Sequence, residues 1–167
     1  MLKGIKYTIF RLSLISFWMS TKLENLLEFC VTHELLDAKS SERIACEYDR
    51  YWDSVFDIVI KCGVDGREMY KIAAKIHHLQ LVTLDQLIID TNALANVSLN
   101  NATKLSCIPY SINSSELSVV ICDWWKLEVV TQSMANLTEK KIHIDLILYS
   151  DYQSLHKRLV DHDPGLN

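Results

Sequence analysis

The sequence predicts an α+β fold in which a helical N-terminal portion packs with a small βαβ-containing sheet. Apolar residues recur at helical spacing early in the chain, as they do from Leu23 to Cys30. Later, two apolar runs, Leu117 to Cys122 and Lys141 to Leu148, flank a helical pattern from Leu127 to Leu137. A strand, helix and strand of these lengths form a βαβ crossover, so we expect the two strands to lie parallel.

Length and composition favour one globular domain or two small subdomains. The 167 residues are 49% hydrophobic and 23% charged, which gives enough apolar material for a core. We place a boundary in the Asn-rich stretch from Asn92 to Asn101, which divides the chain into a helical subdomain (1–91) and a small α/β subdomain (92–167). The net charge of −4 and the lack of a long basic run argue against nucleic-acid binding.

In the first subdomain, helix boundaries follow from capping residues. Ser40 or Ser41 is a plausible N-cap, Gly63 ends the apolar segment from Phe56 to Ile60, and Asp65 can cap a helix from Arg67 to His77. The apolar positions predicted to share a stripe are Ile44, Ala45, Tyr48 and Tyr51 or Trp52 in the earlier helix, and Met69, Ile72, Ala73 and Ile76 in the later one.

The remaining elements are shorter. We expect strands at Leu79 to Val82 and at Lys104 to Tyr110, and a strand or a short helix at Leu84 to Ile89. Asn113 begins a turn before the strand ELSVVIC. A final amphipathic helix runs from Tyr152 to Val160.

The order of these elements resembles a known family. The segment DIVIKCGVDGREMYKIAAKIHHLQLV, the strand end Cys107 to Tyr110, the run from Val119 to Trp124 and the strand KIHIDLIL match, in order, the N-terminal domain of type II secretion and type IV pilus assembly ATPases. The same domain is appended to some membrane glycosyltransferases. The resemblance implies a bacterial, cytoplasmic docking or regulatory module, whose protein partner at the cytoplasmic membrane is a platform protein, an ATPase or a glycosyltransferase.

Some members of that family bind cyclic di-GMP through an Arg-Leu-Gly start and a later Gln. Here Ser54, Val55 and Phe56 occupy the Arg-Leu-Gly positions, and Ile76 or His77 occupies that of the Gln. Phe56 fills the space that a glycine leaves open, and Ser54 cannot grip a phosphate in a bidentate manner. The resemblance therefore argues against dinucleotide sensing by that motif. A nucleotide sensor of another design stays as the alternative function.

Sequence motifs of enzymes and metal sites are lacking. The four glycines, at positions 4, 63, 66 and 165, do not begin a phosphate-binding loop, so we expect no ATPase and no other enzyme. His77 and His78 point about 100° apart on a helix and cannot share a metal ion. His143 and Asp145 share a strand face, which we interpret as solvated. We expect no cofactor and no metal, and we interpret the five cysteines as buried thiols in a reducing compartment.

The best candidate for partner binding is the segment Asp123, Trp124, Trp125 and Lys126. It lies where an apolar strand gives way to a helix, so its side chains can project at a sheet edge. Asp123 can also serve as the cap of that helix. Two consecutive tryptophans do not easily enter one small core, so we expect at least one to be an exposed anchor.

Residues 1–20 leave three interpretations open. Lys3, Lys6 and Arg11 precede a short aromatic-rich apolar stretch, LSLISFWM. This pattern suits a core helix, a segment in peripheral contact with the membrane, or a signal segment. It is too short to span a bilayer as a helix, which needs about 20 apolar residues.

Overall fold

The structure is a computed structural model that describes residues 22–47 and 54–162. Packing divides the chain into two compact units, Met1–Met69 and Tyr70–Asn167. The division therefore falls inside a helix, whereas we predicted a boundary between residues 91 and 92 from composition. The expectations for residues 1–20 and for Tyr48, Tyr51 and Trp52 lie outside the described residues.

The described part of the first unit is helical. It contains α1 (residues 22–32), α2 (Ala38–Glu47), α3 (Val55–Lys61) and the start of α4 (Gly66–Ile76). The helical spacing of Leu23, Leu26, Leu27 and Cys30 is confirmed, since all four are buried. The other buried hydrophobic residues of this unit are Ile44, Val55, Phe56, Ile58, Val59, Val64 and Met69.

The start of α2 differs from the prediction that Ser40 or Ser41 caps it. The helix begins at Ala38, because Asp37 accepts a hydrogen bond from the backbone N–H of Ser40 at 2.9 Å and another from the Ser40 hydroxyl at 2.6 Å. An aspartate that binds the third helical N–H is an effective N-cap. These hydrogen bonds also hold the pKa of Asp37 below its ordinary value.

Gly63 closes α3 as predicted. Its N–H donates to the carbonyl of Ile60 at 2.9 Å, while the N–H of Val64 donates to the carbonyl of Val59 at 3.1 Å. This pair of bonds is the Schellman arrangement, and it requires a left-handed residue, which Gly63 supplies with φ of 98°.

Helix α4 begins as predicted, but its buried face is rotated. Asp65 accepts hydrogen bonds from the N–H groups of Arg67 and Glu68 at 2.9 and 3.2 Å, which confirms it as the cap. Predicted core position Ile76 is 45% exposed. The buried residues of the helix are Met69, Tyr70, Ala73 and Ala74.

The second unit is built on a four-stranded mixed sheet. Its strands are β1 (Leu81–Val82), β2 (Cys107–Ile112), β3 (Glu116–Ile121) and β4 (Lys141–Ile147), in the spatial order β1-β4-β3-β2. Strand β3 runs parallel to β4 and is joined to it by α7 (Leu127–Thr138), so the predicted βαβ crossover is confirmed. Strand β1 is also parallel to β4, and β2 is antiparallel to β3.

The Asn-rich stretch in which we placed the subdomain boundary is helical. It forms α5 (Thr91–Asn96) and the start of α6 (Leu99–Leu105), and side chains cap both helices. Asp90 accepts from the N–H of Asn92 at 2.8 Å, and Ser98 accepts from the N–H of Asn101 at 3.3 Å. Strand β2 therefore begins later than predicted, at Cys107.

Helix α8 (Tyr149–His162) covers an apolar cluster on one face of the sheet. The buried members of this cluster are Val82, Ile108, Val120, Cys122, Ile147, Tyr152 and Leu155. A 3₁₀ turn from Leu84 to Gln86 follows β1, in the place where we expected a strand or a short helix. The α+β fold class is confirmed. Within residues 22–47 and 54–162, no helix is both long and apolar enough to cross a membrane.

Candidate functional site

The predicted partner-binding segment connects β3 to α7. Asp123 follows the strand, and Trp124, Trp125 and Lys126 form a single 3₁₀ turn that leads directly into α7. The end of a central strand in the parallel part of a sheet is a common place for binding residues. The structure brings the four residues together, but it uses three of them to hold the fold.

Trp124 is a core residue. Only 3% of its surface is exposed, and its indole meets the ring of Tyr70 edge to face, with 5.2 Å between ring centroids. The Tyr70 hydroxyl donates a 2.8 Å hydrogen bond to the carbonyl of Cys122, at the end of β3. Burial raises the pKa of Tyr70 well above its ordinary value, so the phenol remains neutral. Trp124 therefore cannot be a surface anchor, and this corrects part of the expectation.

Asp123 and Lys126 tie the turn to the rest of the unit. Asp123 is buried and makes no side-chain capping bond to the following turn, in contrast to the prediction. Its Oδ2 lies 3.7 Å from the Lys126 Nζ, which also donates a 2.7 Å hydrogen bond to the hydroxyl of Ser106. Ser106 ends α6 in a left-handed conformation. These contacts fix the β3–α7 connection against the α6–β2 connection.

Trp125 is the tryptophan of the segment that remains partly exposed. It is half-buried, with its ring centroid 4.4 Å from that of Trp124 and the two planes inclined at 59°. Trp125 lines an open groove of about 640 Å³. The other lining residues are His77, Trp124, Leu127, Glu128, Thr131, Gln132 and Ala135.

One face of α7 forms the polar side of this groove. Glu128, Thr131, Gln132 and Ala135 follow one another at helical spacing, so they stand in one stripe along the helix. The Thr131 hydroxyl donates to the carbonyl of Leu127 at 2.7 Å and is thus engaged within the helix. Glu128 and Gln132 are exposed and have no side-chain partner in the part of the chain that the structure describes.

A second polar cluster lies on the sheet. Asp145 is only 2% exposed, and one of its oxygens accepts a 2.5 Å hydrogen bond from the hydroxyl of Tyr110. The Nε2 of the half-exposed His143 lies 3.2 Å from the other oxygen. The strand face that we interpreted as solvated is thus buried at Asp145, because two neighbouring side chains replace the water around its carboxylate. Burial and the bond to Asp145 raise the pKa of Tyr110 to about 12.

The positions that correspond to the family's cyclic di-GMP motif are occupied by structural residues. Ser54 is the N-cap of α3, and its hydroxyl accepts a hydrogen bond from the N–H of Phe56 at 3.2 Å. Val55 and Phe56 are both buried. A phosphate or a guanine that approached this turn would have to displace Phe56 from the core.

Metal and thiol chemistry find no support within the described residues. No three His, Cys, Asp or Glu side chains among them stand close enough together to hold an ion. Cys30, Cys107 and Cys122 are buried, and Cys62 is exposed. Burial raises the pKa of Cys30 to about 11 and that of Cys107 to about 12, which makes both poor nucleophiles near neutrality.

Sequence reasoning missed the contribution of α4 and α7 to the groove. We considered His77 as a metal ligand and as a counterpart of the family's Gln, and its position in the groove depends on where α4 ends relative to the turn at Trp124. The polar stripe that begins at Glu128 was visible in the sequence, because its four residues recur at the spacing of one helical face. A fully solvated helix can show the same stripe, so the sequence pattern alone does not identify a groove.

The fold is similar to that of solved protein structures. A solved structure of MshE with cdg superposes with a TM-score of 0.62 and 13% identity, over 80% of this chain and 96% of that one. A structure of the N-terminal domain of XpsE superposes with a TM-score of 0.58 and 16% identity, over 80% of this chain and 92% of that one. No family model and no curated protein matches the sequence. The fold predicted by the resemblance, that of the secretion and pilus ATPase N-terminal domains, is confirmed.

Proposed function

We propose that this chain is a non-catalytic docking or regulatory module, which binds a protein partner through the groove beside Trp125. The observation that carries the proposal is the placement of a half-exposed indole next to a polar helix face that is free to make contacts, on a fold shared with N-terminal domains of secretion ATPases. The partner is a platform protein, an ATPase or a glycosyltransferase of a cytoplasmic-membrane assembly. The module works in the cytoplasm, at that assembly.

The groove has the chemical features of a small interface. A partly buried aromatic side chain at its centre offers a large contact area at a low entropic cost, because its neighbour Trp124 already restrains it. The exposed Glu128 and Gln132 side chains supply polar contacts at the rim. Leu127 and Ala135, which also line the groove, offer apolar surface to the partner.

Site-specific photo-crosslinking in the source cell tests this proposal. A benzophenone side chain at Gln132 lies in the groove, whereas the same group at the exposed Gln153 of α8 lies outside the set of lining residues and serves as the matched control. We expect a discrete crosslinked protein from position 132 and none of that mass from position 153. Equal products from both positions, or none from position 132, would refute docking at this groove.

The second candidate function is a cyclic-dinucleotide sensor, and one observation favours it: the similar MshE structure is with cdg. Against it stand the capping role of Ser54 and the burial of Phe56. Calorimetric titration of the purified chain with cyclic di-GMP decides between the two functions. Saturable micromolar binding would support the sensor, and correctly folded protein that shows neither heat nor a change in tryptophan fluorescence would exclude it.

A further inference from the structure

We infer that the groove beside Trp125 recognises a basic segment of the partner protein, and that it binds an arginine side chain between the Trp125 indole and the Glu128 carboxylate. This inference rests on the proposed docking function and specifies the chemistry of the partner. It is drawn from the charges and rings that line the groove.

The electrostatics of the lining select for a cation. Among the described lining residues Glu128 is the only carboxylate; it is exposed, and within residues 22–47 and 54–162 it has no ion-pair partner. None of the described lining residues is a lysine or an arginine. An anionic ligand such as a nucleotide would meet the negative charge of Glu128, with no lysine or arginine among the described lining residues to compensate it and only the imidazole of His77 nearby. A positively charged side chain that bound in the groove would form an ion pair with Glu128.

The shape of the lining selects for a planar cation. The indole of Trp125 is the best aromatic surface for a cation, and a guanidinium group stacks on such a surface while its edge donates hydrogen bonds. The carboxylate of Glu128 accepts two such bonds from one guanidinium. The amide oxygen of Gln132, one turn further along α7, can accept a third.

The partner's backbone is accommodated by small side chains. Thr131 precedes Gln132 and Ala135 follows it by one turn on the same face of α7, so a second helix or an extended strand can approach this face closely. The exposed Val129 and Leu137 are on α7 but outside the lining, so apolar contact alone would favour a different face of the helix. The charge of Glu128 therefore sets the groove apart from the apolar positions of the same helix.

Titration of the whole chain with N-acetyl-arginine-N-methylamide, followed by ¹H–¹⁵N NMR, tests the inference. We expect saturable shifts of the Trp125 indole N–H and of the Gln132 side-chain amide. The matched probe is the citrulline analogue, which has the same shape without the charge, and we expect it to bind at least about tenfold more weakly. Trp125→Ala should weaken binding of the arginine probe at least about threefold.

Glu128→Gln should weaken binding of the arginine probe about fivefold or more. The control is Glu139→Gln, which removes a charge at the C-cap of the same helix, outside the groove lining, and should leave the affinity unchanged. The inference is overturned if the arginine probe shifts no groove resonance, if citrulline binds equally well, or if the two glutamine variants behave alike. A crosslink at Gln132 without any response to arginine would leave docking intact and refute only the basic partner. Failure of that crosslink would refute docking itself.

Discussion

The two adjacent tryptophans should respond very differently to truncation. An indole buries about 150–250 Å², which corresponds to about 4–6 kcal/mol at about 25 cal/mol per Å². Since Trp124 is 3% exposed and contacts Tyr70 edge to face, nearly all of this area leaves water on folding. Alanine keeps part of the contact area, so we expect Trp124→Ala to lower the free energy of unfolding by about 3–5 kcal/mol.

Trp125→Ala should cost much less, about 1–2 kcal/mol, because its side chain is only half-buried. Urea unfolding followed by far-ultraviolet circular dichroism measures both variants, and this signal does not depend on the tryptophans removed. Equal losses for the two variants, or a loss below about 1 kcal/mol for Trp124→Ala, would refute the assignment of Trp124 to the core and Trp125 to the groove.

Three further predictions concern the scaffold. Gly63→Ala should lower the free energy of unfolding by about 1–2 kcal/mol through backbone strain alone, since φ is 98° and no atom lies within 4 Å of the added Cβ; a cost near zero in urea unfolding would contradict this. Glu139→Gly should raise the free energy of unfolding by about 0.5–1 kcal/mol, because Glu139 closes α7 at φ of 54° and glycine adopts this left-handed conformation without strain. A lower urea midpoint would show that the Glu139 side chain contributes more stability than the strain removes. Tyr110→Phe should lower the free energy of unfolding by about 1–3 kcal/mol at neutral pH, because the buried Asp145 carboxylate then loses a hydrogen bond.

The same Tyr110→Phe variant should also change the alkaline limb of stability. The pKa of Tyr110 is raised to about 12 in the folded state, so its contribution is complete below its ordinary value near 10 and is lost as pH rises from 10 to 12. We therefore expect the free energy of unfolding of the variant to fall less steeply across that window than that of the unmodified chain. Parallel slopes in urea midpoints between pH 9 and 12 would contradict the position of Tyr110 in this site.

Local signals in the sequence were sufficient for the βαβ part of the sheet and for several helix ends. The alternation and spacing around α7 predicted the βαβ crossover, since parallel strands need a connection of about this length. Gly63 and Asp65 marked a helix end and a helix start, because left-handed conformations and N-caps favour these residue types strongly. Each of these features depends on residues a few positions apart.

Other features depend on competition between local options. The asparagines from Asn92 to Asn101 suggested a boundary between subdomains, and the structure has two short helices there, capped by Asp90 and Ser98. Asp37 likewise took the capping role that we gave to Ser40. Asparagine and serine favour both turns and helix starts, so composition alone does not decide between the two.

The place of the candidate segment in the fold could be predicted from sequence, but the separate roles of its four residues could not. The four residues from Asp123 to Lys126 were correctly placed between a strand and a helix. The burial of Trp124 depends on Tyr70, which is distant in sequence, and Lys126 is held by Ser106. No periodicity or motif in the segment predicts these contacts, so the groove could be identified only from the arrangement of α4 and α7 in the structure.

The most direct test of docking through the groove is the yield of the crosslink from position 132 in a Trp125→Ala background. The comparison is made in the source cell at equal protein levels, with urea unfolding as a check that the variant remains folded. We predict that the yield falls at least about fivefold, since the central aromatic contact of an interface commonly contributes about 1 kcal/mol or more. An unchanged yield from a folded variant would contradict the central claim and move the binding surface elsewhere on the chain.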